Sequence, residues 1–562
     1  MPDNALVTLP ADTNQALGVA QFAVDFMSDD SSIASRGEPD ASVLARANLF
    51  HTDAVLCGLS ALALGTNAPN ILRDEAMQYA TPVSGRGTPG VVPWARGTAR
   101  TGVPVFGSTV DVQVEKAIVA NCAAVREWDS NGTNFGYSEQ RPHHRAGEFG
   151  HNDFYSVPLA AAQMRGRDGA YALKGMVLVD EIRGRLAEVF SLKSYKIDHV
   201  VHGAIASAAT FGAMMGATPE QIESAIGMVV AHYIPFRAIR AGKQLSDSKG
   251  ASAAISTEAA ILSVKRSMAG FLGPRDIFRN PEAIFRLFEG PGQLFRKTES
   301  AGTGIPRHKE GKAYASPFDL ILTRAGSDFT VMGMHFKLGL YEHQSAGALQ
   351  GLVNLLSRHP HLLDDQTGDC IASIKVRAYE PAFGIIGDPA KRDPKTRQSA
   401  DHSMLYLVCT MLRKALELHH AMKARTLGWK ELMLLPHDFD AKALHDPLTR
   451  ELMGKMSFEH GGPDYDARYP DGIPTSMVIT DDKGATFDSG LVMYPGGHAR
   501  NDRGADKVDR DDVLNHKFRM LGGLASDDAK ALVTRFSALE KKSPKDLAGI
   551  MDFALAQRGK FE

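Results

Sequence analysis

The feature that most constrains the fold is a long series of alanine-rich segments whose apolar residues recur at helical spacing. It runs from about Ala41 to Leu355 and includes Leu44 to Ala63 and Gly203 to Met215. Apolar residues three and four positions apart predict helices, and small side chains let neighbouring helices approach closely. This part of the chain is therefore predicted to form a packed helical domain.

The pattern changes beyond Thr330, where two segments alternate apolar with polar residues. They are Ile371 to Ala378 and Thr475 to Ile479, and a period of two predicts strands. Asp481 to Gly484 follows the second segment, and its turn-forming residues predict a hairpin. The sequence therefore predicts a smaller α+β unit here.

Helical spacing returns near the end of the chain, in Asp511 to Met520 and Ser526 to Leu539. We expect a helical domain over residues 1–329, an inserted α+β lid over residues 330–500, and C-terminal helices over residues 501–562 that return to the helical domain. The predicted fold class is mainly α with an α+β part.

Charge and hydropathy narrow the possible partners. Lysine and arginine together number 63 against 65 acidic residues, so no net charge is present to hold a nucleic acid. Affinity for an anion must come from local basic clusters. No uncharged apolar run reaches 18 residues, and the first 35 residues carry five aspartates and no basic residue, so we expect neither a membrane partner nor a transit peptide. The expected location is the cytoplasm.

The four cysteines give little support for a metal cluster. Cys57, Cys122, Cys370 and Cys409 stand far apart and form no close pair. Iron–sulfur clusters usually use several thiolates, often two of them closely spaced. We therefore expect no cofactor and no metal.

The densest polar stretch runs from Arg126 to Tyr155, between two segments of helical pattern. It contains three histidines, three arginines and several carboxylates. Histidine titrates near neutral pH and can give or take a proton, so this composition would suit a site for an acidic substrate. Composition alone favours an exposed polar loop instead, because such loops are common and sites are few.

Together with several further motifs, this stretch resembles the MmgE/PrpD family, and its 2-methylcitrate dehydratase branch in particular. The resemblance favours a functional site over an exposed loop. The resemblance covers roughly residues 40 to 520, with the motifs in the family order. They are Arg126 to Thr133, Gly150-His151, Glu181 to Gly184, Asp198-His199-Val200, Asp401-His402 and Tyr494 to Arg500. The resemblance implies a helical domain with an α+β lid, a site between them, and a homodimer.

Carried over residue by residue, the resemblance implies an active site with Asp129, Thr133 and His151. Lys337 joins it because His335-Phe-Lys337 is similar to the element that opens the family's lid, and His343 is similar to the lid histidine that follows. We expect His151 to transfer a proton, Asp129 to orient its imidazole or stabilise its cationic form, and Lys337 to offset charge on a substrate carboxylate.

The remaining candidates are cations and one histidine. Arg237 and Arg240 are one helical turn apart, which suits a shared carboxylate but also an ion-paired surface. Lys243 and Lys249 compete for the family's active-site lysine. His199 opens an alanine-rich helix, where a capping or core histidine is an equal alternative.

The resemblance implies dehydration of 2-methylcitrate to 2-methyl-cis-aconitate in propionate breakdown, with possible action on citrate or cis-aconitate. Relatives on the same scaffold decarboxylate cis-aconitate or epimerise iminodisuccinate, and a non-catalytic tricarboxylate sensor is an alternative from another class. The sequence departs from the usual pattern by extra length around Pro142 to Glu148 and Gly461 to Tyr469.

Overall fold

The computed structural model describes residues 5–81, 93–240, 244–280, 283–285, 315–422 and 427–561. In the first half of the chain the helices are α1 (Gln15–Met27), α2 (Ala41–Ala63), α3 (Asn67–Met77), α4 (Val114–Arg126), α5 (Ser156–Met164), α6 (Gly169–Val189), α7 (Val200–Met215), α8 (Pro219–His232) and α9 (Ser248–Met268). In the second half they are α10 (Ala346–Arg358), α11 (Glu380–Ile386), α12 (Arg397–Ala400), α13 (Met404–Met422), α14 (Trp429–Leu432), α15 (Ala441–Leu444), α16 (Pro447–Gly454), α17 (Pro463–Asp466), α18 (Arg510–Ala525), α19 (Ala529–Phe536) and α20 (Pro544–Ala548).

The strands are short and mostly occur in pairs. They are β1 (Leu6–Leu9), β2 (Glu38–Pro39), β3 (Val103–Pro104), β4 (Asp111–Val112), β5 (Thr133–Asn134), β6 (Gly150–His151), β7 (Leu320–Thr323), β8 (Ala325–Gly326), β9 (Ile371–Ala378), β10 (Met456–His460), β11 (Thr475–Asp481) and β12 (Thr486–Asp488). β1 pairs with β7, β2 with β8, β3 with β4 and β5 with β6. The predicted fold class, mainly α with an α+β part, is confirmed.

The helical body is built from α1 to α9, and α7 lies at its centre. α7 packs against α6, α8 and α9, and almost every one of its residues is buried. Its alanines make that possible because a methyl side chain brings helix axes close together. The helix ends at Gly216, whose φ of +85° suits glycine as the cap.

The one larger sheet within the described residues has the order β10-β9-β11-β12 and lies within residues 330–500, the segment that we predict to be a lid and call the lid below. β9 spans the predicted Ile371–Ala378, and its buried and exposed residues largely alternate. β11 and β12 form the predicted hairpin, in which Gly484 has a φ of +84°. These strands place α10 over one face, where it contacts β11.

The C-terminal helix α18 packs on α2 of the helical body through a fully buried ion pair. Lys517 of α18 lies 2.7 Å from a carboxylate oxygen of Asp53 in α2. The same ammonium donates hydrogen bonds to the backbone carbonyl oxygens of Ser130, at 2.7 Å, and Lys337, at 2.9 Å. Helix α18 therefore fixes two segments that carry candidate site residues.

Among the described residues, no single helix has the length and apolar composition to cross a membrane. Helices α2 and α3 satisfy that test only when taken as a pair, and they are bent by 89° at the break between them.

Candidate active site

Asp129 lies at the centre of a buried network of ions. It follows α4 in a left-handed conformation, with φ of +47°, which aspartate tolerates better than most residues. Arg126, from the last turn of α4, lies 2.8 Å from its Oδ1, and Lys337 donates a hydrogen bond to the same oxygen. Lys249, at the start of α9, lies 3.5 Å from Oδ2. Three cations from three elements therefore meet one carboxylate.

The charges in this network shift the pKa values of its members. Burial alone would raise the pKa of Asp129, but Arg126 and Lys337 outweigh burial and hold the pKa well below its usual range. Burial lowers the pKa of Lys337 and of Lys249, and the Asp129 carboxylate opposes that shift. Asp129 is therefore ionised at neutral pH and balances part of the surrounding positive charge.

Asp401 and His402 extend the network from the lid. Lys249 donates to Oδ1 of Asp401 at 2.7 Å, and Nδ1 of His402 is 2.7 Å from the same oxygen and 3.3 Å from Oδ2 of Asp129. Asp129, Asp401 and His402 are close enough together to hold a metal ion. Both carboxylates already contact lysine ammonium groups. The negative charge that would attract a metal ion is therefore largely neutralised by the lysines.

His151 and Thr133 lie opposite each other on the paired strands β6 and β5. The Thr133 hydroxyl donates to the Gly150 carbonyl oxygen at 2.8 Å. Nε2 of His151 is 3.2 Å from Nη2 of Arg126, whereas Nδ1 makes no hydrogen bond within the described residues. Burial and the neighbouring Arg126 charge lower the pKa of His151 well below its usual value, so its ring is neutral.

The structure corrects the expected contact between Asp129 and the imidazole. No hydrogen bond joins Asp129 to His151 among the described residues. Instead, Nη2 of Arg126 lies 3.0 Å from Oδ2 of Asp129 and 3.2 Å from the His151 ring. Arg126, which the sequence analysis did not name as a site residue, therefore connects the two.

Beside His151 lies a group of donors that lack partners. The rings of His151 and His199 are 5.5 Å apart, and neither ring nitrogen of the buried His199 is hydrogen bonded within the described chain. Arg240 donates from Nε to Asp198 at 2.6 Å, but its buried Nη2 has no partner there, and the same holds for Nη1 of Arg237. We call His151, His199, Arg237 and Arg240 the donor cluster.

A cleft of about 370 Å³ leads to this cluster between the helical body and α11 of the lid. Its lining contains five basic residues, namely Lys193, Lys196, Arg237, Arg240 and Lys391. Burial lowers the pKa of Lys391 to about 8, and its ammonium donates to the Ile385 carbonyl oxygen. The lining also contains two acidic residues, Glu380 and Asp388, so basic residues remain in excess and favour small anions.

The lid contributes further buried groups to the candidate site. His343 is fully buried, stacks on His335 with ring centres 5.2 Å apart, and burial lowers its pKa to about 3. Neither of its ring nitrogens is hydrogen bonded within the described residues, and the same is true of the buried Tyr379 hydroxyl. Glu342 precedes His343 and is also buried.

The two segments of extra length meet each other. The Tyr469 hydroxyl donates to the Gly147 carbonyl oxygen at 2.7 Å, and the Tyr469 ring stacks on Tyr379 with ring centres 4.8 Å apart. Gly147 has a φ of +68°, and an added Cβ would lie 2.8 Å from the Tyr469 ring, so glycine is needed for this approach. The lid and the body are therefore tied together beside the cleft.

Much of the Arg126 to Tyr155 stretch is buried, so the exposed loop that composition alone favours is wrong. The structure brings together Asp129, Lys249 and Lys337 in one network, and His151, His199, Arg237 and Arg240 in the donor cluster. Thr133 lies at the edge of this cluster, opposite His151, whereas His343 stacks on His335 in the lid. Lys243, the competitor of Lys249, lies outside the described residues.

Comparison with known proteins finds two domains of one family in this chain. The family model described as MmgE/PrpD N-terminal domain matches residues 38–295, and the one described as MmgE/PrpD C-terminal domain matches residues 341–535. A protein of Yarrowia lipolytica named 2-methylcitrate dehydratase, mitochondrial, is 27% identical over 338 residues. The alignment covers 58% of this chain and 55% of that relative, so the chain spans about half the length of the curated relative it matches.

Proposed function

Because the chain belongs to the MmgE/PrpD family, we propose that it is a hydro-lyase that removes water from a small tricarboxylic acid. The proposed substrate is 2-methylcitrate and the product 2-methyl-cis-aconitate, in propionate catabolism through the methylcitrate cycle. The name of the Yarrowia lipolytica relative, 2-methylcitrate dehydratase, supports this choice. A cytoplasmic location and a homodimer stay predictions.

The observation that carries the proposal is the donor cluster. Buried nitrogen donors without partners cost free energy, about 1–3 kcal/mol for each group and more for a charged one. His199, Arg237 and Arg240 would each recover that cost by binding a substrate carboxylate. A triply charged acid is the ligand class that satisfies several such donors at once.

Dehydration requires one group to take a proton from the carbon next to a carboxylate, and another to protonate the departing hydroxyl. We assign the first role to His151, whose neutral ring has one nitrogen lone pair. Nη2 of Arg126 faces that lone pair at Nε2. A substrate carboxylate accepts from a guanidinium more strongly than an imidazole does, so substrate binding would release Nε2 to act as the base.

The cations of the Asp129 network would stabilise the charge that develops as the proton leaves. Lys337 carries an ammonium next to this site, and the Asp129 carboxylate, which also pairs with Arg126, holds that ammonium in place. Fixed charges in a buried site act strongly because no reorganisation is needed during the reaction. The carboxylate of Asp129 therefore positions these cations.

The test incubates the purified, chelator-treated protein separately with 2-methylcitrate, citrate and cis-aconitate. Ultraviolet absorbance reports the unsaturated acid, and a second assay measures released carbon dioxide. We expect absorbance to rise with 2-methylcitrate and no carbon dioxide to form. Carbon dioxide from cis-aconitate without water loss from 2-methylcitrate would identify a decarboxylase and overturn the proposal.

The variant His151→Gln tests the proposed base. We expect kcat to fall by about 10²–10⁴-fold, the usual contribution of a proton-transfer group. His202→Gln is the matched control, because His202 is also a buried histidine, but its Nε2–H donates to the Phe190 carbonyl oxygen at 3.1 Å and the residue is not part of the donor cluster. Equal loss of kcat in both variants would contradict the assignment.

A further inference from the structure

Glu342 lies where the lid meets the candidate active site, and the sequence analysis did not single it out. Glu342 is only 7% exposed, and it directly precedes the short 3₁₀ helix His343–Ser345. One carboxylate oxygen, Oε2, accepts a hydrogen bond from the Gln344 backbone N–H at 2.7 Å. The other oxygen, Oε1, accepts none from the residues that the structure describes. One oxygen therefore fixes the side chain and the other is available to a ligand.

Charged groups from several elements act on this carboxyl. The Glu342 backbone N–H donates to the Asp401 carbonyl oxygen at 2.9 Å, which places the residue beside the ion network. The charges of Asp129, Lys337 and Lys391 all act on its carboxyl. Glu342 in turn acts on Lys193 and Arg237 of the cleft and on the rings of Tyr379 and Tyr469. The carboxyl therefore lies beside the ion network and within electrostatic reach of the basic cleft and of the aromatic pair of the lid.

Burial and the neighbouring negative charge of Asp129 raise the pKa of Glu342 to about 7, although Lys337 opposes the shift. A carboxyl with such a pKa keeps its proton over much of the neutral range and still releases it readily. The pKa of His151 is shifted in the opposite direction. Two titratable groups whose environments push their pKa values apart have the properties of an acid and base pair.

We propose that Glu342 is the acid that protonates the departing hydroxyl group, and this proposal rests on the proposed dehydratase function. In the step, Nε2 of His151 takes the proton from the carbon next to the carboxylate. The C–H electron pair forms the double bond, the C–O bond breaks, and the hydroxyl takes the proton of Glu342 and leaves as water. The enzyme is left with a protonated His151 and an ionised Glu342, and proton exchange with solvent restores both.

Other lid groups suit this role less well. Burial lowers the pKa of His343 to about 3, so its ring has no proton to spare at neutral pH. Burial raises the pKa of Tyr379 well above its usual value, so its hydroxyl holds its proton tightly. An efficient acid has a pKa near the working pH, which leaves Glu342 among these three.

The experiment compares wild type, Glu342→Gln and Glu342→Asp over pH 6 to 9 with 2-methylcitrate. Glutamine keeps an oxygen that can accept from Gln344, so the start of the 3₁₀ helix is preserved, but it cannot donate the same proton. We expect kcat of Glu342→Gln to fall by about 10²–10⁴-fold. In wild type, kcat/KM should decrease as the pH rises above about 7, because the free enzyme then loses the acidic proton, and Glu342→Gln should lack this decrease. Glu342→Asp should restore part of the rate.

Glu148→Gln is the matched control. Glu148 is also a buried glutamate whose pKa is raised by burial, but both of its oxygens are occupied, by the backbone N–H groups of Phe149 and Lys193. We expect it to keep the pH profile of kcat/KM. Circular dichroism and urea unfolding establish that each variant is folded.

The outcomes separate the two proposals. If wild type forms no unsaturated acid from any substrate, the dehydratase function fails and Glu342 loses its role with it. If wild type is active and folded Glu342→Gln keeps a kcat within about threefold of it, only the role of Glu342 is overturned. The role of Glu342 is also overturned if kcat/KM of both Glu342→Gln and Glu342→Asp decreases above pH 7 as it does in wild type.

Discussion

Two neighbouring regions of the site differ in how their buried polar groups are satisfied. In the ion network, Asp129 contacts Arg126, Lys337 and Lys249, and Asp401 contacts Lys249 and His402. In the donor cluster, nitrogen atoms of His151, His199, Arg237 and Arg240 are buried without partners among the described residues. The two regions touch at Arg126.

The difference separates groups that hold the structure from groups that await a ligand. A paired buried charge is costly to disturb, since removing one partner leaves the other buried and uncompensated. A buried donor without a partner already lowers the stability of the folded protein, and an anion that binds to it recovers that free energy. Substitutions in the ion network should therefore lower stability, whereas substitutions in the donor cluster should lower substrate affinity.

The largest expected effect is that of Asp129→Ala in the ion network. The change leaves Arg126 and Lys337 without their shared carboxylate, and losing one partner of a buried pair costs about 3–5 kcal/mol. Urea unfolding followed by circular dichroism measures the free energy of unfolding. A loss below about 1 kcal/mol would show that the network is not a structural element.

A smaller effect should follow from acidification, which acts on buried histidines around the ion network. Burial lowers the pKa of His402 in the network and of His343 in the lid to about 3. Because these folded-state values lie below the unfolded value of about 6.5, their stabilising contribution is fully present above pH 6.5 and decreases as the pH falls toward 3. At pH 5, each histidine that stays neutral in the folded protein therefore lowers the free energy of unfolding by about 2 kcal/mol relative to pH 8.

Urea unfolding at pH 8 and pH 5 measures this loss in wild type, His402→Gln and His343→Gln. Each variant removes one titrating ring, so each should lose about 2 kcal/mol less than wild type between the two pH values. If only one variant does so, the two histidines do not share the same protonation state.

In the donor cluster, Arg237→Met should raise KM about tenfold or more, since a charge-assisted hydrogen bond contributes about 1.5–3 kcal/mol. The free energy of unfolding should stay within about 0.5 kcal/mol of wild type or increase, because the buried Nη1 has no partner to lose. Initial rates over a range of 2-methylcitrate concentrations give KM. A large loss of stability with an unchanged KM would reverse the distinction between the two regions.

The smallest expected effect is that of Tyr469→Phe, which removes the hydrogen bond to Gly147 and costs about 1 kcal/mol. The control is Tyr465→Phe, whose hydroxyl is 2.7 Å from Ser476 within the lid. Hydrogen exchange should increase around residues 142–148 only in Tyr469→Phe. Equal exchange in both variants would mean that Tyr469 does not tie the lid to the body.

The sequence predicted those parts of the fold that depend on local periodicity. Ile371–Ala378 forms the predicted strand because its apolar residues alternate, and α7 forms where small apolar residues recur at helical spacing. Asp129, Lys249 and Lys337 could be predicted as site residues only through family motifs, since nothing local shows that they meet.

Arg126 and Glu342 could not be assigned from the sequence. The sequence places Arg126 in a family motif but does not show its contact with His151, because that contact depends on how β6 is placed beside α4. The properties of Glu342 arise from burial and from Asp129, which is more than two hundred positions away in the sequence. Such long-range environments leave no local pattern.

Lys517 gives the order of synthesis a role in building the site. Its ammonium holds the backbone of Ser130 and of Lys337 and pairs with Asp53, yet it is translated after all three. A nascent chain on the ribosome would keep Asp53 unpaired until α18 emerges. The pocket would therefore be completed only after all of its own residues have been translated.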